Sequence, residues 1–522
     1  MAKKIYIQPG VWVVLIFLAL VGGFFGLKAL QKSGGIGKLS DIVAPKSGST
    51  TSSAKATKID GITPVVVAIN TWVGYTGLIY YNGGLAPSKD SRFYKEQGIL
   101  VQIVVMDNFD DSRSAFSSDK VNVISNTADV LPTEIASLQS MSPKVFMQVD
   151  WSRGGDKIVV RPGINTVADL KGKTIAVAPG TPSNTLLIRA LETGALTWDD
   201  IKDKIIKVGK APDAVPLFKS GNADAAIVWA PDDEDCIKGV PGAKVLISTK
   251  EANFTIADVF YAKADYITKH RKEIIGFTKG ILIVAAEINA SEDTRKQAQT
   301  LAAQVFNVPA AVVDLNFARF TTYGDNVNFF NLDPVGCKCV KGEDLYTKMA
   351  QAFNAIGMAP ANLPSWREIT DISILTEIKS AFAGPQNDAE PGQTFKAPTP
   401  ALKSAPAVAT KRITINFATG VYTLSDEARY NIDREFSSIA KSFAGYRVRI
   451  EGNTDNVGNL QSNLSLSKKR AQAVANYLSQ TYSFDPNRFI IVGNGPNKPV
   501  ADNSTEDGKA ANRRTDFELI QE

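Results

Sequence analysis

The sequence predicts an α/β protein with a smaller α+β domain at its C-terminus and one apolar segment at its N-terminus. Short β-branched runs alternate with helical patterns between residues 62 and 383, which favours α/β architecture with largely parallel sheets. Alternating apolar strands and two helical faces follow between residues 411 and 522, in the order β-α-β-α-β-β. An uncharged, mostly apolar run fills residues 5–27.

The N-terminal run predicts a transmembrane helix over residues 5–27. About 20 apolar residues span a bilayer as a helix, and Lys3 and Lys4 precede this run. The sequence after it, Leu27-Lys28-Ala29, is a poor small-x-small cleavage site, so we expect an uncleaved anchor rather than a removed signal peptide.

Two low-complexity stretches predict linkers. Residues 28–61 are rich in Ser, Gly, Thr, Ala and Lys, which is typical of a flexible linker. Residues 384–410 carry repeated prolines and alanines and predict an extended, semi-rigid spacer. The large domain is therefore 62–383 and the C-terminal domain 411–522.

Strands and helices of the large domain follow from hydrophobic periodicity. The predicted strands are 65–69, 101–105, 121–124, 145–149, 157–160, 174–178 and 225–229. The helical patterns are 183–193, 211–220 and most of 268–306.

Composition narrows the chemistry. The 522-residue chain has a net charge of +5, which is small for its length and argues against a dedicated nucleic-acid binder. Three cysteines are too few for a disulfide framework. The pair Cys337 and Cys339 lacks the second Cys/His pair of a zinc site, and His270 is the only histidine. We therefore expect no metal and no cofactor, and either plain loop cysteines or one disulfide with Cys236 left over.

Several residues of the large domain follow or precede strands, where a cleft would bind a ligand. Ligands in open parallel sheets sit beyond the carboxyl ends of strands, and amides and hydroxyls at a helix N-terminus can hold an anion. The candidate solute contacts are Trp72, Tyr75, Ser152, Asp156, Thr181, Ser183 and Trp229. Five of them have a structural alternative: the tryptophans as packing, Thr181 and Ser183 as helix caps, and Asp156 as a cap or ion-pair partner.

This part of the chain resembles the substrate-binding proteins of sulfonate, taurine and nitrate ABC importers and the related pyrimidine-precursor binders. The matching elements are Trp72-Val73-Gly74-Tyr75, 118–123, Gly155-Asp156, Asp169-Leu170-Lys171-Gly172-Lys173-Thr174, Gly221-x-x-Asp224-Ala225 and Val228-Trp229-x-Pro231. The resemblance implies a two-lobed, type II periplasmic-binding fold that closes by a hinge on a small organic or oxyanionic solute.

In the C-terminal domain, a turn-rich loop carries Asp455 and the helix after it carries Arg470. An anion and a cation at one rim suit a zwitterionic ligand, because Arg can fork onto a carboxylate while Asp accepts from an ammonium.

This stretch resembles the OmpA-like peptidoglycan-binding domain. The matching elements are Gly452-Asn453-Thr454-Asp455, Gly458, Asn463, Leu466-Ser467-Lys468-Lys469-Arg470-Ala471 and Asn512-Arg513-Arg514. The resemblance implies that Asp455, Arg470, Asn463 and Thr454 bind the free end of diaminopimelate in a peptidoglycan stem peptide. Asn453 stands where the family usually has His.

Together these features predict an envelope solute-binding protein, held in the inner membrane by one span and tethered to peptidoglycan. Because a wall-binding domain must lie outside the cytoplasm, we expect a cytoplasmic N-terminus and a periplasmic bulk. An ABC permease or another inner-membrane complex is a further expected partner. The alternative is a structural or signalling protein that senses a ligand without feeding a transporter. An enzyme of the pyrimidine-forming branch is disfavoured, because that branch uses a His and a cysteine-rich motif.

Overall fold

The computed structural model describes residues 56–522, apart from residues 195, 334–338, 416, 418 and 419. The predicted transmembrane run 5–27 and most of the predicted linker 28–61 lie outside the described residues. Within them, no single helix combines the length and apolarity needed to span a bilayer. The helices Arg271–Ala290 and Glu292–Phe306 pass such a test only as a pair, and they are bent by 119°.

The strands of the large domain agree with the predicted runs to within a few residues. They are β1 (Val65–Ile69), β2 (Val101–Val105), β3 (Val123–Thr127), β4 (Pro143–Ser152), β5 (Asp156–Val160), β6 (Ile175–Val177), β7 (Ile205–Lys207), β8 (Ala225–Trp229), β9 (Lys244–Ser248), β10 (Ala257–Lys263) and β11 (Ala318–Phe320). The prediction missed β7 and β9–β11.

These strands form two sheets, one in each of two lobes. The first sheet has the order β11-β4-β10-β3-β1-β2, and the second has the order β7-β6-β8-β5-β9. The chain crosses between them twice, from β4 to β5 and from β9 to β10. The expectation of largely parallel sheets is only half right: β1 pairs in parallel with β2 and β3, but β10 is antiparallel to both of its neighbours. In the second sheet β5 is likewise antiparallel to β8 and β9. A strand that returns from the other lobe enters its sheet in the opposite direction.

The helices of the large domain cover these sheets. They are α1 (Thr76–Asn82), α2 (Arg92–Gln97), α3 (Phe109–Ser117), α4 (Ile135–Leu138), α5 (Pro182–Thr193), α6 (Ala214–Ser220), α7 (Asp232–Gly239), α8 (Ala264–Lys269), α9 (Arg271–Ala290), α10 (Glu292–Phe306), α11 (Tyr323–Phe329), α12 (Gly342–Ala355) and α13 (Ser373–Ile378). The long pattern 268–306 breaks at Ser291, whose side chain accepts a hydrogen bond from Thr294 N and so caps α10.

The C-terminal domain packs helices on a four-stranded sheet. Its elements are β12 (Ala409–Ile413), α14 (Asp426–Ile432), α15 (Ser438–Ser442), β13 (Arg447–Asn453), α16 (Leu460–Tyr482), β14 (Phe489–Gly495), α17 (Glu506–Asn512) and β15 (Thr515–Ile520), and its sheet has the order β12-β15-β13-β14. The predicted order β-α-β-α-β-β missed α17. That helix has seven mostly polar residues, so it carries no apolar periodicity.

The proline-rich segment 384–410 lies against both domains rather than standing apart from them. Glu390 pairs with Arg153 of the first crossing, and its backbone N donates to Asp325 Oδ1 at 2.6 Å. Further along, Phe395 N donates to Asp485 Oδ2 at 2.8 Å. Arg447 Nη2 donates to the carbonyl of Lys396 at 2.8 Å. The segment therefore connects the first lobe to the C-terminal domain by side-chain contacts as well as by covalent bonds.

The C-terminal domain also shares an apolar core with the second lobe. One cluster of buried residues joins Leu187 and Leu191 of α5 to Ile439 and Phe443. At its edge Arg189 is buried, and its Nη2 donates to Ser442 Oγ at 3.0 Å.

Backbone contacts reinforce this junction. Gly445 N donates to the carbonyl of Glu251 in the second crossing at 2.9 Å, and Val167 N donates to the carbonyl of Val408 at 2.9 Å. Hydrogen bonds between backbones and a common core are features of elements that pack as one body.

Candidate functional site

A cavity lies between the two lobes, at the carboxyl ends of β1, β3 and β8. The enclosed space is about 20 Å³, room for little more than a water molecule, and it reaches about 380 Å³ only when the open space at its mouth is counted. A larger ligand therefore requires the two lobes to move apart. The first lobe lines it with Asn70, Trp72, Tyr75, Phe109, Thr127 and Asp258, and the second lobe with Asp156, Pro182 and Trp229. Of the seven candidate solute contacts, Trp72, Tyr75, Asp156 and Trp229 are thus brought together in one place.

Two aromatic side chains of the first lobe are positioned by buried carboxylates. Trp72 Nε1 donates to Asp150 Oδ2 at 3.3 Å, and the Tyr75 hydroxyl donates to Asp258 Oδ1. The indole of Trp72 lies directly over Gly155, where a Cβ would come within 2.1 Å of the ring. Glycine at position 155 is therefore required for Trp72 to reach the first crossing.

The two carboxylates that hold these rings are direct neighbours across strands. Asp258 of β10 pairs in register with Asp150 of β4, and both side chains are buried. Burial raises the pKa of Asp150 to about 7. Burial, followed by the charge of Asp150, raises the pKa of Asp258 well above its usual range. Like charges placed directly opposite each other in a sheet are destabilising, which is a cost that functional sites commonly carry.

Asp156 is held from behind and faces the cavity. Ser152 Oγ donates to Asp156 Oδ2 at 2.7 Å, and it also lies 2.7 Å from Thr249 Oγ1. Ser152 is therefore a positioning group and does not line the cavity. Burial, with a smaller contribution from the charge of Asp129, raises the pKa of Asp156 to about 7.

The predicted helix-end pair lies at the start of α5 but does not cap it. Thr181 Oγ1 donates back to the carbonyl of Ala178 at 2.8 Å, and no side chain caps the helix. Ser183 is fully buried, and its hydroxyl has no hydrogen-bond partner in the described structure. Neither residue lines the cavity, whereas Pro182 between them does.

Sequence reasoning missed several lining groups. Asn70 and Thr127 were not predicted. Asn70 Oδ1 and Thr127 Oγ1, like Nε1 of the predicted Trp229, are buried atoms without a hydrogen-bond partner among the described residues. The signal for Asp150 and Asp258 was present, since each is a carboxylate that interrupts an apolar strand. Burying a carboxyl group costs free energy unless it is hydrogen-bonded or paired, so a carboxylate within an apolar strand indicates a specific partner.

The second candidate site is the loop between β13 and α16. Asn459 caps the helix, because its Oδ1 accepts from Gln461 N at 2.9 Å. Asn463, Ser467 and Arg470 are buried on one face at spacings i, i+4 and i+7. The helix can approach the sheet because a Cβ at Gly452 would lie 2.1 Å from the carbonyl oxygen of Ser467.

Asp455 lies in this loop and is already paired. Its Oδ2 accepts from Arg513 Nη1 at 2.7 Å, and its Oδ1 accepts from Val457 N at 3.1 Å. Arg513 was quoted with the matching motif but was not predicted as a contact. The structure therefore adds a second cation to the predicted pair.

Arg470 approaches the same place from the helix. Its Nε donates to the carbonyl of Val421 at 3.1 Å, and its guanidinium lies 4.7 Å from the centre of the Phe417 ring. Burial lowers the pKa of Arg470, the charge of Asp455 opposes this, and the charge of Arg513 adds to it. Two arginines thus lie near Asp455, and Glu506 adds a second carboxylate close to Arg513. The rim therefore carries groups of both signs.

The other two predicted contacts shape the loop. Asn463 Nδ2 donates to the carbonyl of Val457 at 2.9 Å, and Thr454 Oγ1 donates to the carbonyl of Asp455 at 2.8 Å. Asn453, in place of the family's His, is buried beneath. Its Nδ2 donates to Asp516 Oδ2 and its Oδ1 accepts from Asn494, each at 3.1 Å.

Cys236, Cys339 and His270 are not among the residues that form either site. Cys236 is a buried free thiol, Cys339 is disulfide-bonded, and the His270 ring stacks on Tyr266 at 4.3 Å. Within the described part of the chain, no cluster of three or more His, Cys, Asp or Glu is arranged to hold a metal ion.

Comparison with known families confirms both resemblances. Residues 83–288 match the NMT1/THI5-like family, and residues 416–513 match the OmpA family. The first match begins after Trp72 and Tyr75, and the second ends at Arg513.

Curated relatives divide in the same way. An Escherichia coli K12 protein named as an aliphatic sulfonates-binding protein is 32% identical over 152 residues, which is 29% of this chain and 44% of that protein. Outer membrane porin F of Pseudomonas aeruginosa is 36% identical over 96 residues, or 18% of this chain and 27% of the porin. Outer membrane protein A of Bordetella avium is 36% identical over 98 residues, or 19% of this chain and 50% of that protein. The chain spans half or less of the length of these relatives.

The solved structures similar to this chain include two periplasmic binding proteins and a desulfurization enzyme, DSZB. The periplasmic aliphatic sulphonate binding protein SsuA from Escherichia coli is 20% identical, covers 60% of this chain and 99% of its own, and has a TM-score of 0.47. The periplasmic nitrate-binding protein NrtA from Synechocystis PCC 6803 is 13% identical, covers 62% and 91%, and has a TM-score of 0.48.

Proposed function

We propose that this chain, which joins a solute-binding domain of the sulfonate and nitrate type to an OmpA-type domain, is a cell-envelope solute-binding protein tethered to peptidoglycan. The observation that supports the proposal best is the cavity between the lobes, where Trp72, Tyr75, Asp156 and Trp229 converge. A ligand there would contact both lobes, and contacts to both lobes favour a closed state.

The tether is the site around Asp455, Arg470 and Arg513. The arginines would bind the free carboxylate of a diaminopimelate stem peptide, and Asp455 would accept from its ammonium. Asn463 and Thr454 would hold the loop in the required shape. Exposed Val457 and Leu460 belong to the same loop and helix. Exposed Val421 and Tyr422 lie in the segment before α14, whose Val421 carbonyl accepts from Arg470, and together these residues offer apolar area beside the charges.

The N-terminal run 5–27 would hold the chain in the inner membrane, with its N-terminus in the cytoplasm and both domains in the periplasm. A permease would then meet the binding domain at the membrane. The alternative role, sensing without transport, is favoured by the contact between the C-terminal domain and Glu251 in the second crossing. Closure of the cleft would bend this segment, so a change there could be passed to the C-terminal domain.

The proposal is tested with the full chain in two assays. The detergent-purified protein should sediment with purified sacculi, and native mass spectrometry should detect a copurified small molecule. Failure of sedimentation would remove the tether. Absence of any ligand, together with no thermal shift from a broad solute panel, would remove the solute-binding role.

A further inference from the structure

We propose that the cavity takes an organic cation, a small amine or ammonium compound with an apolar body, and not a sulfonate or nitrate anion. This inference rests on the proposed solute-binding function and narrows its ligand. The carboxyl groups of Asp156 and Asp258 line the cavity from opposite lobes, and none of the described lining residues is Lys, Arg or His.

The cations closest to these carboxylates are engaged elsewhere. Lys157 follows Asp156 in the chain but pairs with Asp233. Arg153 favours the charged form of Asp150, the cross-strand neighbour of Asp258, but it pairs with Glu390. Asp156 therefore has no cationic partner of its own. A buried carboxyl group without such a partner holds its proton, and a bound cation would favour its charged form.

Acceptor atoms in the cavity also lack donors. Asp156 Oδ2 accepts from Ser152, while no donor to Asp156 Oδ1 is found among the described residues. Asn70 Oδ1 is a buried acceptor without a partner. Thr127 is 4% exposed, and its hydroxyl is unpartnered at the cavity wall. An ammonium group has three donors and no acceptor, so it satisfies Asp156 Oδ1 and Asn70 Oδ1, which an oxyanion does not. The Thr127 hydroxyl can accept from the same group, whereas the unpartnered Trp229 Nε1 is a donor and needs an acceptor elsewhere in the ligand.

Aromatic rings supply the rest of the wall. Trp72, Tyr75, Phe109 and Trp229 line the cavity, and the faces of such rings attract cations. An anion in the same place would be repelled instead.

Proton release gives an independent readout. A bound cation stabilises ionised carboxylates, so Asp156, whose pKa burial raises to about 7, and Asp150, raised likewise, should lose protons on binding. The charged and titratable groups that act on these two carboxylates are Asp129, Asp258, Tyr75, Arg153 and Lys157. Binding of a cation should therefore tighten as the pH rises through about 7, whereas binding of an anion should weaken.

The experiment uses the full chain, with benzylamine and choline as cationic probes and methanesulfonate and nitrate as anionic probes. Thermal shift and calorimetry are measured at about pH 5.5 and 7.5. We expect a cationic probe to raise the melting temperature and to bind about ten-fold more tightly at the higher pH. Asp156→Asn should weaken that binding by about ten-fold or more, whereas Asp90→Asn, on the surface of the same domain, should leave it unchanged. Asp258→Asn serves as a second variant if Asp156→Asn does not fold.

The outcomes separate this inference from the proposed function. Binding of methanesulfonate or nitrate that Asp156→Asn leaves intact or improves would overturn the inference and keep the solute-binding role. An acidic copurified ligand would do the same. If no probe binds at millimolar concentration and no ligand copurifies, both the inference and the proposed function fail.

Discussion

Arg513 Nη1 lies 2.7 Å from Asp455 Oδ2, so the aspartate that is proposed to bind a ligand ammonium already has a cationic partner. The side chain of Arg513 is 43% exposed and that of Asp455 only 13%. A carboxylate can accept from more than two donors, so a ligand ammonium can join this pair without displacing Arg513. The exposed arginine remains available to a ligand carboxylate.

The first prediction concerns the central pair of the wall site. Asp455→Ala and Arg470→Ala should each weaken sedimentation with sacculi by about thirty-fold or more, because losing one partner of a desolvated charge pair costs about 2–5 kcal/mol. Arg470→Lys should also fail, since a point charge cannot replace the planar fork. Arg429→Ala, an exposed arginine of the same domain, is the matched control. Wild-type sedimentation of the Asp455→Ala/Arg470→Ala double variant would contradict the assignment.

The second prediction concerns Arg513. Because this side chain is well exposed, Arg513→Ala should weaken sacculus binding by less than about ten-fold, as expected of ion pairs worth about 1 kcal/mol or less. The same sedimentation assay, run over a range of salt concentrations, measures the difference. A tighter complex in the variant would show that Arg513 competes with the ligand for Asp455.

The third prediction concerns pH and the empty cavity. Burial raises the pKa of Asp150 and of Asp156 to about 7, against an unfolded value of about 3.9. The folded protein therefore holds more protons between these values. Their contribution to stability is fully present below about pH 4 and is lost as the pH rises through about 7.

Calorimetric unfolding of ligand-free protein at about pH 5 and pH 8 checks this prediction. Each unit of pKa difference corresponds to about 1.4 kcal/mol. Asp156→Asn should therefore be more stable than wild type at pH 8, and this advantage should be smaller at pH 5. Asp90→Asn should follow wild type at both pH values. An unchanged pH slope in Asp156→Asn would contradict the assignment of the slope to this carboxyl.

The fourth prediction concerns the junction between α5 and the C-terminal domain. Arg189→Met removes buried hydrogen bonds to Ser438 and Ser442, at a cost of about 1.5–3 kcal/mol for a charge-assisted bond. Scanning calorimetry should then resolve two transitions where wild type shows one. Arg189 also pairs with Glu192. Lys348→Met is the control, because Lys348 pairs with Glu192 as well but its side chain is 39% exposed. A single unshifted transition in Arg189→Met would show that the junction does not depend on this arginine.

The fifth prediction concerns the N-terminal run. We expect the mature protein to keep residues 5–27 and to remain in the membrane fraction after an alkaline wash, because a span of this length inserts stably. N-terminal sequencing of the protein from cells measures this directly. A sequence that begins after residue 28 would show that the run is a removed signal peptide.

Local sequence patterns were sufficient to predict several individual strands and the motif-bearing loop of the C-terminal domain. β-Branched runs predicted β1, β2 and β8 to the residue, because a buried strand needs a continuous apolar stretch and little else. The OmpA-type loop could also be recognised from sequence, because Asp455, Asn463 and Arg470 lie within sixteen residues of one another in the chain.

The pairing register of strands that are distant in sequence could not be predicted. Asp150 and Asp258 meet only because β4 and β10 pair at that register, and no local pattern encodes the pairing of residues so far apart in sequence. The same holds for Asp455 and Arg513. The core shared by α5 and the C-terminal domain was also hidden, because an apolar helix face does not reveal which neighbour will cover it.

The shared core determines which part of the molecule can move once the C-terminal domain is fastened to the sacculus. The second lobe would then be held in place with the C-terminal domain. The cavity would open by movement of the first lobe alone. Segment 384–410 contacts the first lobe through Glu390 and the C-terminal domain through Phe395. Because its length is fixed, it would limit how far the two lobes can separate. Tension on the wall would then reach the mouth of the cavity directly, and occupancy of the cavity would depend on the mechanical state of the envelope.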